Sequence, residues 1–224
     1  MDDFLQSRSQ MVEKSIRSRG IADPRVLRAM NSVPRHLFVA PSYRARAYED
    51  RPLPIGAGQT ISQPYIVALM AELLQLKPQD KVLEIGAGSG YAAAVLAELA
   101  REVYAVERIE ELADLAQQNL AAAGYEHVQL RCADGSSGWP EAAPFDAILV
   151  SAGATGTPKQ LLDQLKPGGR LVIPVGPGGY EGQELLRMTR TAEGDFETGR
   201  FGLVRFVPLI SGTTGNPPAH SKEP

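Results

Sequence analysis

Apolar positions along the chain follow two alternating patterns. Val82-Leu83-Glu84-Ile85, Val103-Tyr104-Ala105-Val106 and Phe145-Asp146-Ala147-Ile148-Leu149-Val150 are short, nearly continuous apolar runs of buried-strand length, as are residues 170–174, while residues 127–132 read as a strand of alternating polar and apolar positions. Between them lie an alanine-rich stretch from Tyr91 to Leu96 and a longer one from Ile109 to Ala123, which stops at Gly124, a natural C′ residue. Residues 158–165 add a short helix. Strand alternating with helix predicts an α/β fold: a mostly parallel, doubly wound sheet with helices on both faces and right-handed crossovers. Residues 184–190 and 203–209 are two further runs with no helix between them, so an antiparallel edge is expected there.

The first third of the chain reads differently. Residues 4–19 space Phe4, Leu5, Met11, Val12 and Ile16 at helical intervals and end at Gly20. Asp23-Pro24 reads as an N-cap followed by proline at the first helical position, opening a helix through Met30. Together these form a small N-terminal helical cap. From Val33 to Gln63 prolines punctuate the chain and regular structure is scarce; residues 54–60 read as loop, and so long a connection is often functional. Ser62-Gln63-Pro64-Tyr65 reads as another N-cap with proline in the first turn, opening a helix to about Leu76. Residues 211–224 are rich in Gly, Pro and polar residues and are expected to be a disordered tail.

At 224 residues the chain fits one domain over residues 1–210, with 1–60 as helices and substrate loop and 61–210 as core. A net charge of -3 argues against a nucleic-acid partner held by a basic field. A single cysteine, Cys132, excludes an intrachain disulfide, so a reducing, cytoplasmic setting is the simplest expectation. The N-terminus is polar and acidic, without the apolar core of a signal peptide. No apolar run approaches the roughly 20 residues of a membrane helix. His36, His127 and His220 lack metal-site spacing, and no metal is expected. His36 reads as structural, Cys132 as a buried small hydrophobe, Trp139 as packing under the sheet rim, and Arg44, Arg46 and Arg51 as a solvated basic face, with attraction of an acidic peptide as the alternative.

The chemistry centres on Glu84-Ile85-Gly86-Ala87-Gly88-Ser89-Gly90-Tyr91. A dinucleotide turn would be Gly-x-Gly-x-x-Gly, but Tyr91 stands where the third such glycine would fall. Glu84 is also wrong for a pyrophosphate and suits a ligand with an amino group and a positive centre. The pattern resembles motif I of Rossmann-like S-adenosylmethionine-dependent methyltransferases. In that reading Glu84, Gly86, Ala87, Gly88, Ser89 and Gly90 hold the cofactor. Glu107, about 20 residues after Gly86, ends the second strand, where a carboxylate can accept from two ribose hydroxyls; the alternative is a plain helix-start carboxylate. Asp134-Gly135 closes the third strand on the same rim, beside the adenine by that resemblance, or else as an ordinary Asp-Gly turn.

A second segment narrows the substrate. Tyr48-Glu49-Asp50-Arg51-Pro52-Leu53-Pro54-Ile55-Gly56-Ala57-Gly58-Gln59-Thr60-Ile61-Ser62-Gln63-Pro64 resembles the signature of protein-L-isoaspartate (D-aspartate) O-methyltransferases. Val33-Pro34-Arg35-His36-Leu37-Phe38-Val39, residues 165–176 and Val204-Arg205-Phe206-Val207-Pro208-Leu209 extend the likeness from about Met11 to Leu209. Ala133 and Ser151-Ala152-Gly153-Ala154-Thr155 depart from the family pattern, which has glycine and Thr-Ala-Ala-Ala-Pro there.

The resemblance implies methyl transfer to the free α-carboxylate of isoaspartyl residues in damaged proteins, followed by loss of methanol to a succinimide. That carboxylate ionises near pH 3.5 and needs no general base. The resemblance puts the active-site hydroxyl at Ser62, with Thr60 second; locally, Ser62 reads equally as a helix cap. It also assigns substrate contacts to Ile55, Gly56, Gly58, Gln59 and Ile61, in a loop hinged at the glycines, and to Val207 and Leu209. A monomer without nucleic-acid or membrane partners is expected. A small-molecule methyltransferase, or a nucleotide-binding module without methyl transfer, are the alternatives.

Overall fold

Residues 4–177 and 181–209 are described by the computed structural model of the chain. Helix α1 (Leu5–Met11) continues into a wider π-helical turn (Val12–Ile16) and a tight 3-10 turn (Arg17–Arg19) that ends at left-handed Gly20, where the sequence pattern predicts one regular helix. Its inner face, Met11, Val12 and Ile16, is buried. In α2 (Pro24–Ser32) the expected cap is present: the Asp23 carboxylate accepts from the Arg25 N–H at 2.8 Å.

Residues 54–60 are not loop. They belong to an antiparallel hairpin of β1 (Leu53–Gly56) and β2 (Gln59–Ile61), paired Leu53 to Ile61 and Pro54 to Thr60. Leu53, Ile55 and Ile61 turn inward, a period of two that the surrounding prolines hide. Gly56, Ala57 and Gly58 make the turn, all at positive φ.

Ser62 does not cap α3 (Pro64–Leu74). The N-cap is Gln63, and its side chain makes no capping bond. Asp50, distant in sequence, does the work instead: Oδ1 accepts from the Tyr65 N–H at 3.0 Å. The helix ends at left-handed Gln75, just short of the expected Leu76.

The main sheet carries β3 (Lys81–Ile85), β4 (Glu102–Glu107), β5 (Gln129–Cys132), β6 (Phe145–Val150), β7 (Leu165–Val175), β8 (Gln183–Arg190) and β9 (Phe196–Val204), in spatial order β5-β4-β3-β6-β7-β8-β9. Pairing is parallel as far as β7; β8 and β9 are added antiparallel. The edge hairpin therefore exists, but its second strand spans 196–204, not 203–209. A tight turn, with the Thr191 N–H donating to the Asp195 carbonyl, sends the chain straight back. The strand that follows is mostly exposed, and its apolar residues Phe196, Phe201, Leu203 and Val204 are interrupted by Glu197, Arg200 and two glycines, so no continuous apolar run marks it. Residues 205–209 instead leave the sheet edge and touch it again through Pro208 opposite Gly153.

Alternation along the strands divides the core. Val82, Ala105, Ala147, Leu149 and Val172 face α3, α4 (Tyr91–Ala97), α5 (Glu110–Ala122) and the N-terminal helices. Leu83, Ile85, Val106, Ile148, Val150, Leu171 and Ile173 form the other layer with Phe145 and Leu161, the latter from the short α6 (Lys159–Asp163). Strands covered on both faces read as continuous apolar runs, and each such side chain contributes about 1.5–3 kcal/mol by burial. Trp139 packs edge-on against Tyr104, 5.2 Å between ring centroids, as expected at the rim. Cys132 is exposed rather than buried, because β5 is the outermost strand and none of its residues is fully covered. The tail from 211, with His220, and residues 178–180 of the expected 176–182 turn lie outside the described residues. Among the described residues, no helix is long and apolar enough to cross a membrane.

Candidate active site

Strand order reverses between β3 and β6, so the connections leaving their carboxyl ends run to opposite sides and leave a crevice between them, the usual ligand position in open α/β sheets. Glu84, the second-last residue of β3, is fully buried beneath it. Its Oε1 accepts from the Ser151 hydroxyl at 2.9 Å, while Oε2 has no partner among the described residues. Burial raises its ionisation to about pH 8; Glu107 nearby adds to the rise and the Ser151 hydroxyl opposes it. An orphaned, buried carboxylate oxygen beside a cavity is a receptor for a cationic donor.

Two cavities meet at the glycine turn. One is lined by Glu84, Ala87, Ser89, Tyr91, Ile61 and Ser62. The other is lined by Glu107, Arg108, Ile109 and Gly135 and roofed by Ile55 and Gln59 of the hairpin and by Val207 and Leu209. Thr60, Gly86, Gly88 and Ser151 belong to both. Thr60, Ser62 and Ser151 also border a wide open groove along Tyr65, Phe201 and Arg205. The Ser62 hydroxyl, released from capping, thus stands where the inner cavity opens into the groove.

Glu107 holds the turn together. Its Oε2 accepts from the Gly88 N–H at 2.8 Å, and Oε1 accepts from those of Arg108 and Ile109 at 2.8 and 2.9 Å. A carboxylate has about four acceptor positions, so a further donor can still be served. Gly88 is needed there twice over: its φ is +57°, and a Cβ would lie 3.2 Å from Ile55 Cδ1, where the hairpin closes over the turn.

Other expected site residues fall outside the cavities. Gly90 is the left-handed N-cap of α4, facing Leu120 and Ala116 of α5. Gly56 and Gly58 form the hairpin turn and line neither cavity. Asp134 is occupied locally: Oδ1 accepts from the N–H and hydroxyl of Ser136 at 2.9 and 2.8 Å, capping a short 3-10 turn, and only Gly135 reaches the cavity wall. His36 is structural, with Nδ1 2.7 Å from the Tyr48 hydroxyl and its ring stacked on Phe4. Arg46 and Arg51 pair with Glu49 at the surface. No group of acidic, His or Cys side chains among the described residues could hold a metal.

Three residues without a local sequence signal complete the site. Asp50 Oδ2 accepts from Gln63 Nε2 at 2.8 Å and Arg19 Nη1 at 3.0 Å, so one carboxylate pins the stretch carrying Ser62. Gln183, buried, mimics a strand: its Oε1 accepts from the Phe206 N–H at 2.9 Å and its Nε2 donates to the Phe206 carbonyl at 3.1 Å. Gly153 bonds Val207 and Leu209 through its own backbone, and a Cβ on it would lie 2.5 Å from Gln183 Nε2. Residues 205–209 are therefore strapped across the crevice. Ser151 heads the segment that departs from the family pattern, yet its hydroxyl is the partner of Glu84.

A sequence model of the protein-L-isoaspartate(D-aspartate) O-methyltransferase family (PCMT) matches residues 6–214. Protein-L-isoaspartate O-methyltransferase of Synechococcus sp. (strain JA-2-3B'a(2-13)) is 58% identical over 214 residues, covering 93% of this chain and 87% of the relative. The protein of the same name from Methylorubrum extorquens (strain PA1) is 58% identical over 210 residues, covering 94% and 91%. Among solved structures, a protein-L-isoaspartate O-methyltransferase superposes with a TM-score of 0.83 at 30% identity, over 93% of this chain and 67% of the other. A Plasmodium falciparum crystal structure assigned to the same family, in complex with S-adenosyl-L-homocysteine, gives 0.78 at 27% identity, over 91% and 98%.

Proposed function

The chain belongs to the protein-L-isoaspartate(D-aspartate) O-methyltransferase family, and from that premise we propose how its crevice does the family's work. It is an S-adenosylmethionine-dependent enzyme that methylates the free α-carboxylate of L-isoaspartyl residues in damaged proteins, the opening step of their repair.

When bound, S-adenosylmethionine supplies a methyl group activated on a sulfonium. The residues of the crevice fit it. Glu84 Oε2, buried and unpaired, receives the ammonium of its amino-acid end, with Ser151 holding the carboxylate in place. The open backbone of Gly86, Ala87, Gly88 and Ser89 lets the ligand lie against the main chain. Glu107 accepts from the ribose, and Gly135 walls the adenine side, with Asp134 shaping that turn.

The substrate carboxylate arrives ionised, since its pKa is about 3.5, so the protein needs no general base. Its task is alignment and exclusion of water. Ser62 donates a hydrogen bond to the carboxylate at the mouth of the inner cavity, and Thr60 stands beside it. Ile55, Gln59 and Ile61 of the hairpin, with Val207 and Leu209 of the strap, grip the peptide from either side; Gly56 and Gly58 let the hairpin move. Contacts through backbone and small apolar groups suit a substrate of variable flanking sequence. The methyl ester then loses methanol to a succinimide without further help. Residues 1–210 act as one catalytic unit, because the buried side chains of residues 11–39 share a core cluster with the sheet.

The observation that carries this reading is the unpaired Glu84 oxygen and the uncapped Ser62 hydroxyl facing one cavity. Its test is a pair of peptides differing only in an isoaspartyl or an aspartyl linkage, with methyl incorporation and methanol release both followed. Labelling of the isoaspartyl peptide alone supports it; equal labelling of both rejects it.

A further inference from the structure

The groove outside Ser62 carries a feature that the methyl-transfer chemistry does not use. Arg19, at the end of the N-terminal helical segment, lays its guanidinium 3.4 Å over the ring of Tyr65. Its Nη1 lies 3.0 Å from Asp50 Oδ2, the oxygen that also accepts from Gln63 Nε2, while Asp50 Oδ1 accepts from the Tyr65 N–H. Arg19 is thus tied, through one carboxylate, to the stretch that presents Ser62. Arg19 and Tyr65 line one wall of the groove, and Phe201, Leu203 and Arg205 the other; Glu181 is the lone acid among the lining residues.

We propose that Arg19, stacked on Tyr65, is a subsite for an acidic side chain flanking the isoaspartyl residue, so that the enzyme favours damaged segments that carry Asp or Glu nearby. This rests on the reading that the peptide lies in the groove with its altered carboxylate at Ser62. A guanidinium has five N–H donors, and Asp50 engages one of them, so donors remain for a second carboxylate. The aromatic stack fixes the plane of the guanidinium beforehand, which lowers the entropy lost when a carboxylate docks. Asp50 keeps its charge beside Arg19, but its oxygens also serve an amide side chain and a backbone N–H, so it engages the guanidinium through one nitrogen and leaves the others to a second carboxylate. The lining carries Arg19 and Arg205 against Glu181, and Asp50 beside Arg19 brings the local charges level, so the attraction comes from the free donors of the stacked guanidinium and not from a net positive field. The Arg19 side chain keeps 46% of its exposure, so the effect is one of modest size and sensitive to salt.

The experiment uses isoaspartyl peptides identical except for a Glu, Gln or Lys scanned through the positions on either side. At low salt, the Glu peptide at one or two positions should show a KM about three- to tenfold below its Lys counterpart, with kcat within about twofold. That ratio should fall below about twofold in Arg19→Gln and in wild-type enzyme at high salt. Affinity for S-adenosylhomocysteine reports whether Arg19→Gln has kept its fold, and the salt series on the wild type stands without any variant. A flat KM series in the wild type, or a ratio that survives in a folded Arg19→Gln, overturns the proposal. Failure of every isoaspartyl peptide to be methylated would instead sink the reading of the site on which it rests.

Discussion

Glu84→Gln gives the sharpest test of the crevice. The side chain stays nearly the same shape and still offers an acceptor to the Ser151 hydroxyl, but it can no longer ionise. In the folded, cofactor-free protein burial raises this carboxyl from 4.5 to about 8. Below pH 4.5 both folded and unfolded chains hold the proton, and the group costs nothing. Between 4.5 and about 8 the unfolded chain gives the proton up while the folded chain keeps it. Each pH unit in that window then lowers stability by about 1.4 kcal/mol, so roughly 3 kcal/mol is lost by pH 7 and the loss levels off above pH 8. Urea unfolding of wild type and E84Q from pH 5 to 9 should therefore give a difference that grows in favour of E84Q with rising pH. Any constant offset belongs to the amide itself; the slope is the test. Binding of S-adenosylhomocysteine should behave oppositely. In the wild type its affinity should rise by up to tenfold per pH unit towards pH 8, because pairing with an ammonium requires the carboxylate. In E84Q it should be weak and flat. A difference curve without slope, or unaltered binding by E84Q, would refute the assignment of Glu84 as the cation receptor.

Other predictions test the neighbouring parts. Ser62→Ala should lower kcat on an isoaspartyl peptide by about tenfold or more, on the scale of a lost alignment hydrogen bond, and leave cofactor affinity unchanged. Because Ser62 caps nothing, its melting temperature should hardly move; a drop of the size expected for a lost N-cap, about 1 kcal/mol, would return it to a structural role. Gln183→Leu removes both bonds to the Phe206 backbone and should cost about 2–3 kcal/mol in urea unfolding. It should also raise peptide KM; an unchanged KM would mean that the strap's position does not matter to the substrate. Gly88→Ala must hold a left-handed φ of +57° with its Cβ against Ile55, so about 1–2 kcal/mol of stability and most cofactor affinity should go. Calorimetry with S-adenosylhomocysteine reads the second effect.

Much of this molecule was written locally. The runs at 82–85, 103–106 and 145–150 read as buried strands from their apolar pattern alone, and the glycine turn at 86–90, with Glu107 one strand on, reads as a sheet rim. The Asp23 cap and the stop at Gly20 are settled within a few residues of themselves, which is why they were legible. The hairpin at 53–61 was hidden by prolines and by a period of two too short to stand out. The strand at 196–204 was hidden by its exposure, since an edge strand with few buried residues carries no apolar pattern. The cap reading of Ser62 and the burial expected of Cys132 fail for a related reason: a helix N–H can be served from 15 residues away, as Asp50 serves Tyr65, and burial at a strand end depends on which strand lies outermost. Periodicity, turns and caps are short-range properties that a chain declares along its length. The raised ionisation of Glu84, the strap held by Gln183 and the stack of Arg19 on Tyr65 exist only once distant segments are packed together, because each is a contact between groups that no local pattern relates.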